Sequence, residues 1–137
     1  MITGLNHITL AVRQLPISFD FYKGILGFKP LCRWPEGTYF LAGNLWFCLF
    51  EDPNAAPGKG YTHLAFSIAA EDFLQMTDRL KKAHVPLWKE NVSAGDSFYF
   101  LDPDGYQLEL HVGDWQSRLA HKRNILGKTL SFFEMEQ

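Results

Sequence analysis

Two histidines and a glutamate stand where the sequence could build a metal site. His7 and His63 each begin a short segment that alternates polar or small residues with branched apolar ones, and Glu109 lies in a third such segment. Two imidazole nitrogens and a carboxylate oxygen suit a divalent transition metal, and three protein ligands leave coordination positions for water or substrate. The residue types therefore predict a metal that acts on a bound substrate.

Alternation within these segments decides which way the three side chains point. Side chains two residues apart share a face of a strand, so each segment has a polar face and an apolar face. If the two halves of the chain pack into one curved sheet, the polar faces bring His7, His63 and Glu109 together. The alternative is that both histidines are ordinary strand residues with hydrogen-bonded rings, but their matching positions in two repeats favour the metal. His111 shares the face of Glu109 and is an alternative third ligand.

An internal repeat supports this arrangement. Each half reads as a strand, a helix and a meander of about three strands, and Tyr39-Phe40-Leu41 recurs as Tyr99-Phe100-Leu101, each time before a turn and a final strand. We therefore predict an α+β fold of paired βαβββ modules that form a curved mixed sheet. Module one covers about 1–55, module two about 58–113 and a C-terminal tail 114–137, all within a single domain, 1–137.

Local signals place the ends of the helices. Ser18 is a candidate start for the first helix and Gly27 its end, and the Glu71-Asp72 pair marks the start of the second helix. In the tail, the sequence predicts a short helix over 115–120 and a strand over 129–133. Six phenylalanines are expected to fill the layer between helices and sheet: Phe19, Phe21, Phe66, Phe73, Phe98 and Phe100.

Composition narrows the class of protein. Of the 137 residues, 47% are hydrophobic and 20% are charged, which is typical of a globular protein. With 13 basic and 15 acidic residues and no run of Lys or Arg, nothing indicates nucleic-acid binding. Two cysteines are too few for a disulfide framework at this length. Because no apolar stretch could cross a membrane and no signal-peptide pattern opens the chain, we expect a cytoplasmic protein.

Nearly the whole chain resembles a known family, and four segments carry the likeness. They are Gly4-Leu5-Asn6-His7-Ile8-Thr9-Leu10-Ala11-Val12, Tyr61-Thr62-His63, Ser97-Phe98-Tyr99-Phe100-Leu101-Asp102-Pro103-Asp104-Gly105 and Leu108-Glu109-Leu110-His111-Val112-Gly113. They resemble the fosfomycin-resistance thiol transferases of the vicinal oxygen chelate superfamily, which also contains glyoxalase I and the extradiol dioxygenases. The resemblance implies a strand-exchanged homodimer in which His7 of one subunit joins His63 and Glu109 of the other. It implies Mn²⁺ at this site, or another divalent metal such as Zn²⁺, Fe²⁺ or Ni²⁺.

The same resemblance implies an activity and roles for further residues. A thiol, with glutathione as the expected co-substrate, would open the epoxide of fosfomycin at carbon and inactivate the antibiotic. Thr9 would donate a hydrogen bond to the oxygen that becomes an alkoxide, and Tyr39 would lie near the attacking thiol. The residues implied to contact the substrate are Trp46, Cys48, Lys89, Ser93, Ser97, Tyr99 and Arg118. A loop that binds K⁺ as an activator would contain Asn91, Ser93, Gly95 and Ser97.

The sequence departs from the family pattern where the thiol would bind. The departures are Glu36, Phe50, Val92, Ala94 and Leu126. A channel that has lost a cation and hydroxyls and gained an aromatic ring should hold the carboxylates of glutathione less well, so the identity of the thiol stays open. Ala94 leaves the strength of K⁺ activation open as well. Two other functions remain: an epoxide hydratase that uses Glu36, and a drug-binding protein of the same fold without turnover.

Overall fold

The computed structural model of the chain describes residues 1–91, 96–125 and 129–134. In chain order the elements are β1 (His7–Val12), α1 (Leu15–Asp20) followed by a π-helical turn (Phe21–Ile25), β2 (Lys29–Trp34), β3 (Gly37–Ala42), β4 (Leu45–Glu51), β5 (Leu64–Ser67), α2 (Ala70–Lys82), β6 (Leu87–Lys89), β7 (Ser97–Leu101), β8 (Gln107–His111) and α3 (Trp115–Arg123). The order of strand, helix and three strands occurs twice. The predicted pair of βαβββ modules is therefore confirmed.

The strands form two four-stranded mixed sheets with the same topology. The first sheet has the order β1-β4-β3-β2 and the second the order β5-β8-β7-β6. In each sheet the first and last strands of the module pair in parallel, and the other neighbours are antiparallel. A parallel pair needs a long crossover connection, which contains the helix of the module. Within one chain the two sheets are separate, and β1 and β5 are edge strands.

The core lies where the apolar faces of both sheets meet the helices. One cluster of buried residues contains Phe47 from the first sheet and Phe66 from the second. The ring of Phe28 lies between them, with its centroid 5.3 Å from the ring of Phe47 and 5.3 Å from that of Phe66. All six phenylalanines predicted for this layer belong to the cluster or pack against it. Each fully buried ring contributes about 1.5–3 kcal/mol to stability.

The first helix begins earlier than predicted. It starts at Leu15, whose backbone amide donates a hydrogen bond of 2.9 Å to Oε2 of Glu51 at the end of β4, so a distant carboxylate satisfies the start of this helix. Ser18 lies inside the helix and is 1% exposed. The prediction of Ser18 as the start was wrong because the group that satisfies the helix end comes from another strand. Gly27 follows the π-helical turn with φ +76°, as predicted for the end of this helical segment.

The second helix has the predicted start. Glu71 and Asp72 lie in the first turn of α2, where negative charge interacts favourably with the helix dipole, and basic residues occupy the last turn. The helix ends at Lys82, four residues before Pro86. Neither α2 nor any other helix in the described part of the chain is long and apolar enough to span a membrane.

The C-terminal tail confirms one predicted element and corrects another. The predicted helix is α3, which begins with a capping box between Asp114 and Ser117. Residues 129–134 contain no strand, so the predicted strand over 129–133 was wrong. The ring of Phe132 instead lies 4.3 Å from the guanidinium carbon of Arg123, and Phe133 is 89% exposed. The apolar residues here do not pair with a sheet edge in the described chain.

A buried hydrogen-bond network made by Tyr22, Asp102 and Tyr106, the module strut, joins the two modules. The hydroxyl of Tyr22 donates to Oδ2 of Asp102 at 2.7 Å, and the backbone amides of Asp104 and Tyr106 donate to Oδ1 at 2.9 Å. The hydroxyl of Tyr106 donates to the carbonyl oxygen of Ala11 in β1 at 2.7 Å. Burial raises the pKa of the Tyr22 phenol well above its usual value, and the Asp102 carboxylate beside it adds to this shift.

Candidate metal and substrate site

The second sheet brings two of the predicted ligands into contact. His63 directly precedes β5, and Glu109 lies in the neighbouring strand β8, opposite Ala65. Nε2 of His63 lies 3.0 Å from Oε1 of Glu109. Glu109 is only 5% exposed. A buried carboxylate thus faces an imidazole nitrogen within a single chain.

The hydrogen bonds of His63 leave two acceptors facing each other. Nδ1 of His63 lies 2.8 Å from the carbonyl oxygen of Tyr61, and since a carbonyl only accepts, Nδ1 carries the hydrogen. In the neutral ring Nε2 then presents a lone pair to the carboxylate of Glu109. Such a pair needs a proton or a cation between its atoms. Imidazole nitrogen and carboxylate oxygen together suit Mn²⁺, Fe²⁺, Zn²⁺ or Ni²⁺, so these two residues fit a divalent metal.

A second histidine contacts the other oxygen of the same carboxylate. Nδ1 of His111 lies 3.2 Å from Oε2 of Glu109 and 2.7 Å from Oγ of Ser97. Ser97 and His111 are directly opposite each other in β7 and β8. In the described part of the chain, no three His, Cys, Asp or Glu side chains are grouped so that they could hold a metal ion. His111 therefore does not complete a ligand set within one chain.

A fixed positive charge stands beside this pair. The ammonium of Lys89 donates a hydrogen bond to the hydroxyl of Tyr61 and lies 4.5 Å from the ring centroid of Tyr61 and 4.8 Å from that of Tyr99. The hydrogen bond to Tyr61 raises the pKa of Lys89, so the side chain stays charged at neutral pH. The ring of Trp88 lies 5.4 Å from that of His63 and 5.2 Å from that of Tyr99. The Lys89 cation and the predicted metal ligand His63 thus share one aromatic cluster, which suits an anionic ligand.

The third predicted ligand lies in the other sheet. His7 opens β1, and its ring centroid is 4.5 Å from that of Trp46, its register partner in β4. Nδ1 of His7 lies 2.7 Å from Oδ1 of Asn6. The expectation that all three ligands converge on one curved sheet therefore does not hold within one chain, because the chain forms two separate sheets. The ligand set is divided between His7 in the first sheet and the His63–Glu109 pair in the second.

Three predicted site residues form a row across the first sheet. Thr9 in β1 and Tyr39 in β3 both lie opposite Cys48 in β4. Burial raises the pKa of the Cys48 thiol, and a hydrogen bond with the Thr9 side chain partly offsets this. The thiol is therefore protonated at neutral pH, whereas metals bind the thiolate. The ring of Tyr39 lies 5.1 Å from that of Trp46, so this row and Trp46 form a neutral wall.

Two predicted substrate residues present buried donors that lack a partner. Nε1 of Trp46 and Nε of Arg118 are buried, and neither has a hydrogen-bond partner among the described residues. A buried donor left unpaired costs about 1–3 kcal/mol, so such groups in native proteins call for an explanation. An acceptor on a bound ligand would satisfy both donors.

Some of the remaining predicted residues lie in the described part of the chain, and the others fall outside it. Asn91 is exposed and is the last described residue before position 96. Glu36 lies in the turn between β2 and β3, and Phe50 lies in β4 with half of its surface exposed. The calls that fall outside the described residues are Ser93 and Gly95, together with the departures Val92, Ala94 and Leu126.

Sequence reasoning assigned no role to Tyr61 or Trp88. Both lie close to predicted site residues in the sequence, since Tyr61 stands two positions before His63 and Trp88 one position before Lys89. That adjacency was the available signal. A cavity of about 630 Å³ lies elsewhere, between the β3–β4 turn and α2, and none of the predicted site residues lines it.

Fold and site together define a class of protein. Two βαβββ modules, each with a histidine at or next to the edge strand of its sheet, are features of the vicinal oxygen chelate type. Residues 4–110 match the family model described as Glyoxalase/Bleomycin resistance protein/Dioxygenase superfamily. The chain belongs to this superfamily and, within it, to the family that includes FosA, FosB and FosX.

Three relatives illustrate this membership. The chain is similar to a glutathione transferase FosA from Serratia marcescens, with 48% identity over 124 residues that cover 88% of each chain. A metallothiol transferase FosB from Staphylococcus haemolyticus is 36% identical over 127 residues, 88% of this chain and 91% of that protein. The crystal structure of the fosfomycin resistance protein FosX from Listeria monocytogenes complexed with Mn(II) and sulfate ion has a TM-score of 0.79 and 33% identity, covering 89% of this chain and 99% of that one.

Proposed function

We propose that this protein is a metal-dependent transferase that adds a thiol, glutathione in the first place, to the epoxide of fosfomycin and so inactivates the antibiotic. The observation that carries the proposal is the contact between Nε2 of His63 and Oε1 of Glu109, beside the charged ammonium of Lys89. A pair of metal ligands next to a fixed cation suits a substrate that carries both an epoxide, for the metal, and a phosphonate, for the cation. Relatives named glutathione transferase and metallothiol transferase support the same reaction class.

The proposed metal ligands are His7, His63 and Glu109. Mn²⁺ is the first candidate, in line with the Mn(II) complex of FosX, and the donor set also suits Zn²⁺, Fe²⁺ and Ni²⁺. When bound, the metal would supply Lewis acidity at the epoxide oxygen. Such a metal would also link the two sheets of one site, since His7 comes from a first sheet and His63 and Glu109 come from a second sheet.

We further propose that the site is completed between two copies of the chain in a homodimer. His7 and the His63–Glu109 pair belong to separate sheets of one chain, and the strands beside them, β1 and β5, have free edges. An isologous dimer can place the first sheet of one copy against the second sheet of the other twice over, which gives two equal sites. His7 of one copy then joins His63 and Glu109 of the other.

The phosphonate is proposed to bind to basic and hydroxyl groups of the second module and of α3 in the C-terminal tail. Lys89 contributes its ammonium, and Arg118 contributes a buried Nε that lacks a partner among the described residues. A guanidinium and an ammonium match a phosphonate dianion in charge and in hydrogen-bond donors. The hydroxyl groups proposed to complete the cradle are those of Ser93, Ser97 and Tyr99.

The ring-opening step uses groups of the first sheet. The thiol gives up its proton and its sulfur forms a bond to an epoxide carbon. The carbon–oxygen bond breaks, and the oxygen keeps the electron pair and takes up a proton, so that no net proton is gained or lost. Thr9 is proposed to donate a hydrogen bond to that oxygen as its negative charge develops. Tyr39 is proposed to orient the incoming thiol, with Trp46 and Cys48 as a neutral wall beside it.

The proposed activator is K⁺, bound by oxygen atoms of the loop that contains Asn91, Ser93, Gly95 and Ser97. Hard oxygen ligands suit such a cation. Ala94 in this loop departs from the family pattern and brings no side-chain oxygen, so weak activation is expected. The thiol site carries the departures Glu36, Phe50, Val92 and Leu126, so weak binding of glutathione is expected as well.

Phosphorus NMR of fosfomycin incubated with the purified protein tests the proposal. With Mn²⁺ and glutathione the resonance of the thiol adduct should grow, and it should not grow when Glu109→Gln replaces the wild-type chain. Parallel samples with other thiols, and with no thiol, identify the nucleophile. Formation of the diol without any thiol would replace the proposal with epoxide hydration. Binding of fosfomycin without turnover, by a protein that lacks stoichiometric metal affinity, would replace it with drug binding alone.

A further inference from the structure

Three polar side chains of β8 point to the same face and each holds a different neighbour. Glu109 contacts His63. Gln107, with its amide oriented for donation, reaches the carbonyl oxygens of Thr62 at 3.0 Å and Gly60 at 2.9 Å, and so fixes the segment before His63. His111 lies between the carboxylate of Glu109 and the hydroxyl of Ser97. Strand β8 thus carries three successive polar contacts on the face that holds the His63–Glu109 pair.

The ring of His111 is held between strands β7 and β8. Nδ1 of His111 lies within hydrogen-bond distance of Oγ of Ser97 in β7, at 2.7 Å, and 3.2 Å from Oε2 of Glu109 in its own strand. Oε1 of Glu109 stays directed at His63 because Oε2 is occupied by His111.

We propose that His111 is a positioning residue that fixes the Glu109 carboxylate and aligns the Ser97 hydroxyl next to it. The residue acts through Glu109, because its Nδ1 is directed at that carboxylate. A group that hydrogen-bonds a ligating carboxylate restricts its orientation and raises metal affinity. The inference rests on the metal site of the proposed function and deepens it.

The test measures Mn²⁺ binding rather than turnover. Apo-protein is titrated with Mn²⁺, and the free ion is followed by electron paramagnetic resonance. In His111→Leu, a side chain of similar size has no donor, and Mn²⁺ affinity should fall by about 10- to 100-fold. In His111→Asn, the amide nitrogen stands close to the place of Nδ1 and should restore most of the affinity. In His111→Gln, the amide stands nearer to the place of Nε2 and should restore little.

His121→Leu is the matched control, because His121 is an exposed histidine of α3 and its replacement should leave Mn²⁺ affinity unchanged. Circular dichroism establishes that each variant is folded. Equal affinity for the wild type and His111→Leu, or equal loss in the Asn and Gln variants, would overturn the positioning role. If the variants follow the expected order but no adduct forms with any thiol, the proposed function fails and the inference stands. A wild-type chain without Mn²⁺ affinity would overturn both.

Discussion

The polar faces of the two sheets differ although their topology is the same. The face of the second sheet is charged and arranged within one chain, with His63 in contact with Glu109 and Lys89 bound to Tyr61. On the face of the first sheet the uncharged Thr9 row and Trp46 lie around His7, and Lys29 lies on the same face in the outer strand β2. The two modules therefore share a backbone topology but differ in the side chains on their polar faces. The second module is suited to hold a metal and an anion, and the first to close the site from the opposite side.

Removing the carboxylate of Glu109 should have the largest effect of the substitutions that test this difference between the sheets. Glu109→Gln leaves a buried amide that cannot match the metal, and Mn²⁺ affinity should fall by at least about 100-fold, since loss of a group that only supports a ligand already costs 10- to 100-fold. Electron paramagnetic resonance of the free ion measures the change. The matched control is Glu71→Gln in the exposed first turn of α2. Unchanged Mn²⁺ affinity would show that the charged face of the second sheet is not the metal side.

A substitution in the first sheet should slow the chemical step and leave Mn²⁺ affinity unchanged. Thr9→Val keeps a β-branched side chain in β1 and removes the hydroxyl, so kcat should fall about 100-fold if that hydroxyl stabilises the developing negative charge. Steady-state kinetics with fosfomycin and glutathione measures this, and Thr3→Val near the chain start serves as the control. A loss of Mn²⁺ affinity equal to that of Glu109→Gln would contradict the division of roles between the sheets.

The module strut should affect stability rather than chemistry. Tyr22→Phe removes the donor to Asp102 and leaves a buried acceptor with one partner fewer, so the free energy of unfolding should fall by about 1–3 kcal/mol. Urea unfolding followed by fluorescence measures it, with Tyr39→Phe on the exposed sheet face as the control. If Tyr22→Phe were as stable as the wild type, the buried hydrogen bond would not be what holds the modules together.

The smallest effect is expected from pH. The pKa of Tyr22 is raised in the folded chain by burial and by the Asp102 carboxylate, so the unfolded phenol ionises first, near pH 10. Its contribution to stability is fully present below that pH and is lost as the pH rises towards the folded pKa. Above about pH 10 the unfolding free energy of the wild type should therefore decrease more steeply than that of Tyr22→Phe. Urea unfolding measured between pH 9 and pH 11 gives this free energy for both proteins, and an equal decrease with pH in the two would contradict the expectation.

The fold was predictable because the repeat and the alternation of side chains are local properties of the sequence. Apolar residues at every second position identified the strands, and the two turns before β4 and β8 identified the meanders. The start of α1 was not predictable, since its amide binds Glu51, which lies 36 residues later in the sequence at the end of β4. The strand expected over 129–133 also failed, because apolar residues alone do not show whether a sheet edge lies within reach.

The candidate site was predictable only in part. The pairing of His63 with Glu109 followed from strand alternation, because parallel neighbours place both residues on one face. The contact of His111 with Ser97 depends on the register of β7 and β8, and the contact of Tyr61 with Lys89 depends on a loop conformation. The separation of His7 from the other ligands reflects two sheets within one chain, which the repeat does not specify.

Mixing two inactive variants tests most directly whether the two sheets of one site come from different chains. His7→Ala and Glu109→Gln should each be inactive as pure dimers. After equal amounts are unfolded and refolded together, half of the dimers combine both variants, and one of the two sites in each of these has all three ligands. The account predicts recovery of about a quarter of the wild-type rate of adduct formation. A mixture that stays inactive while both variants are folded and exchange subunits would contradict it.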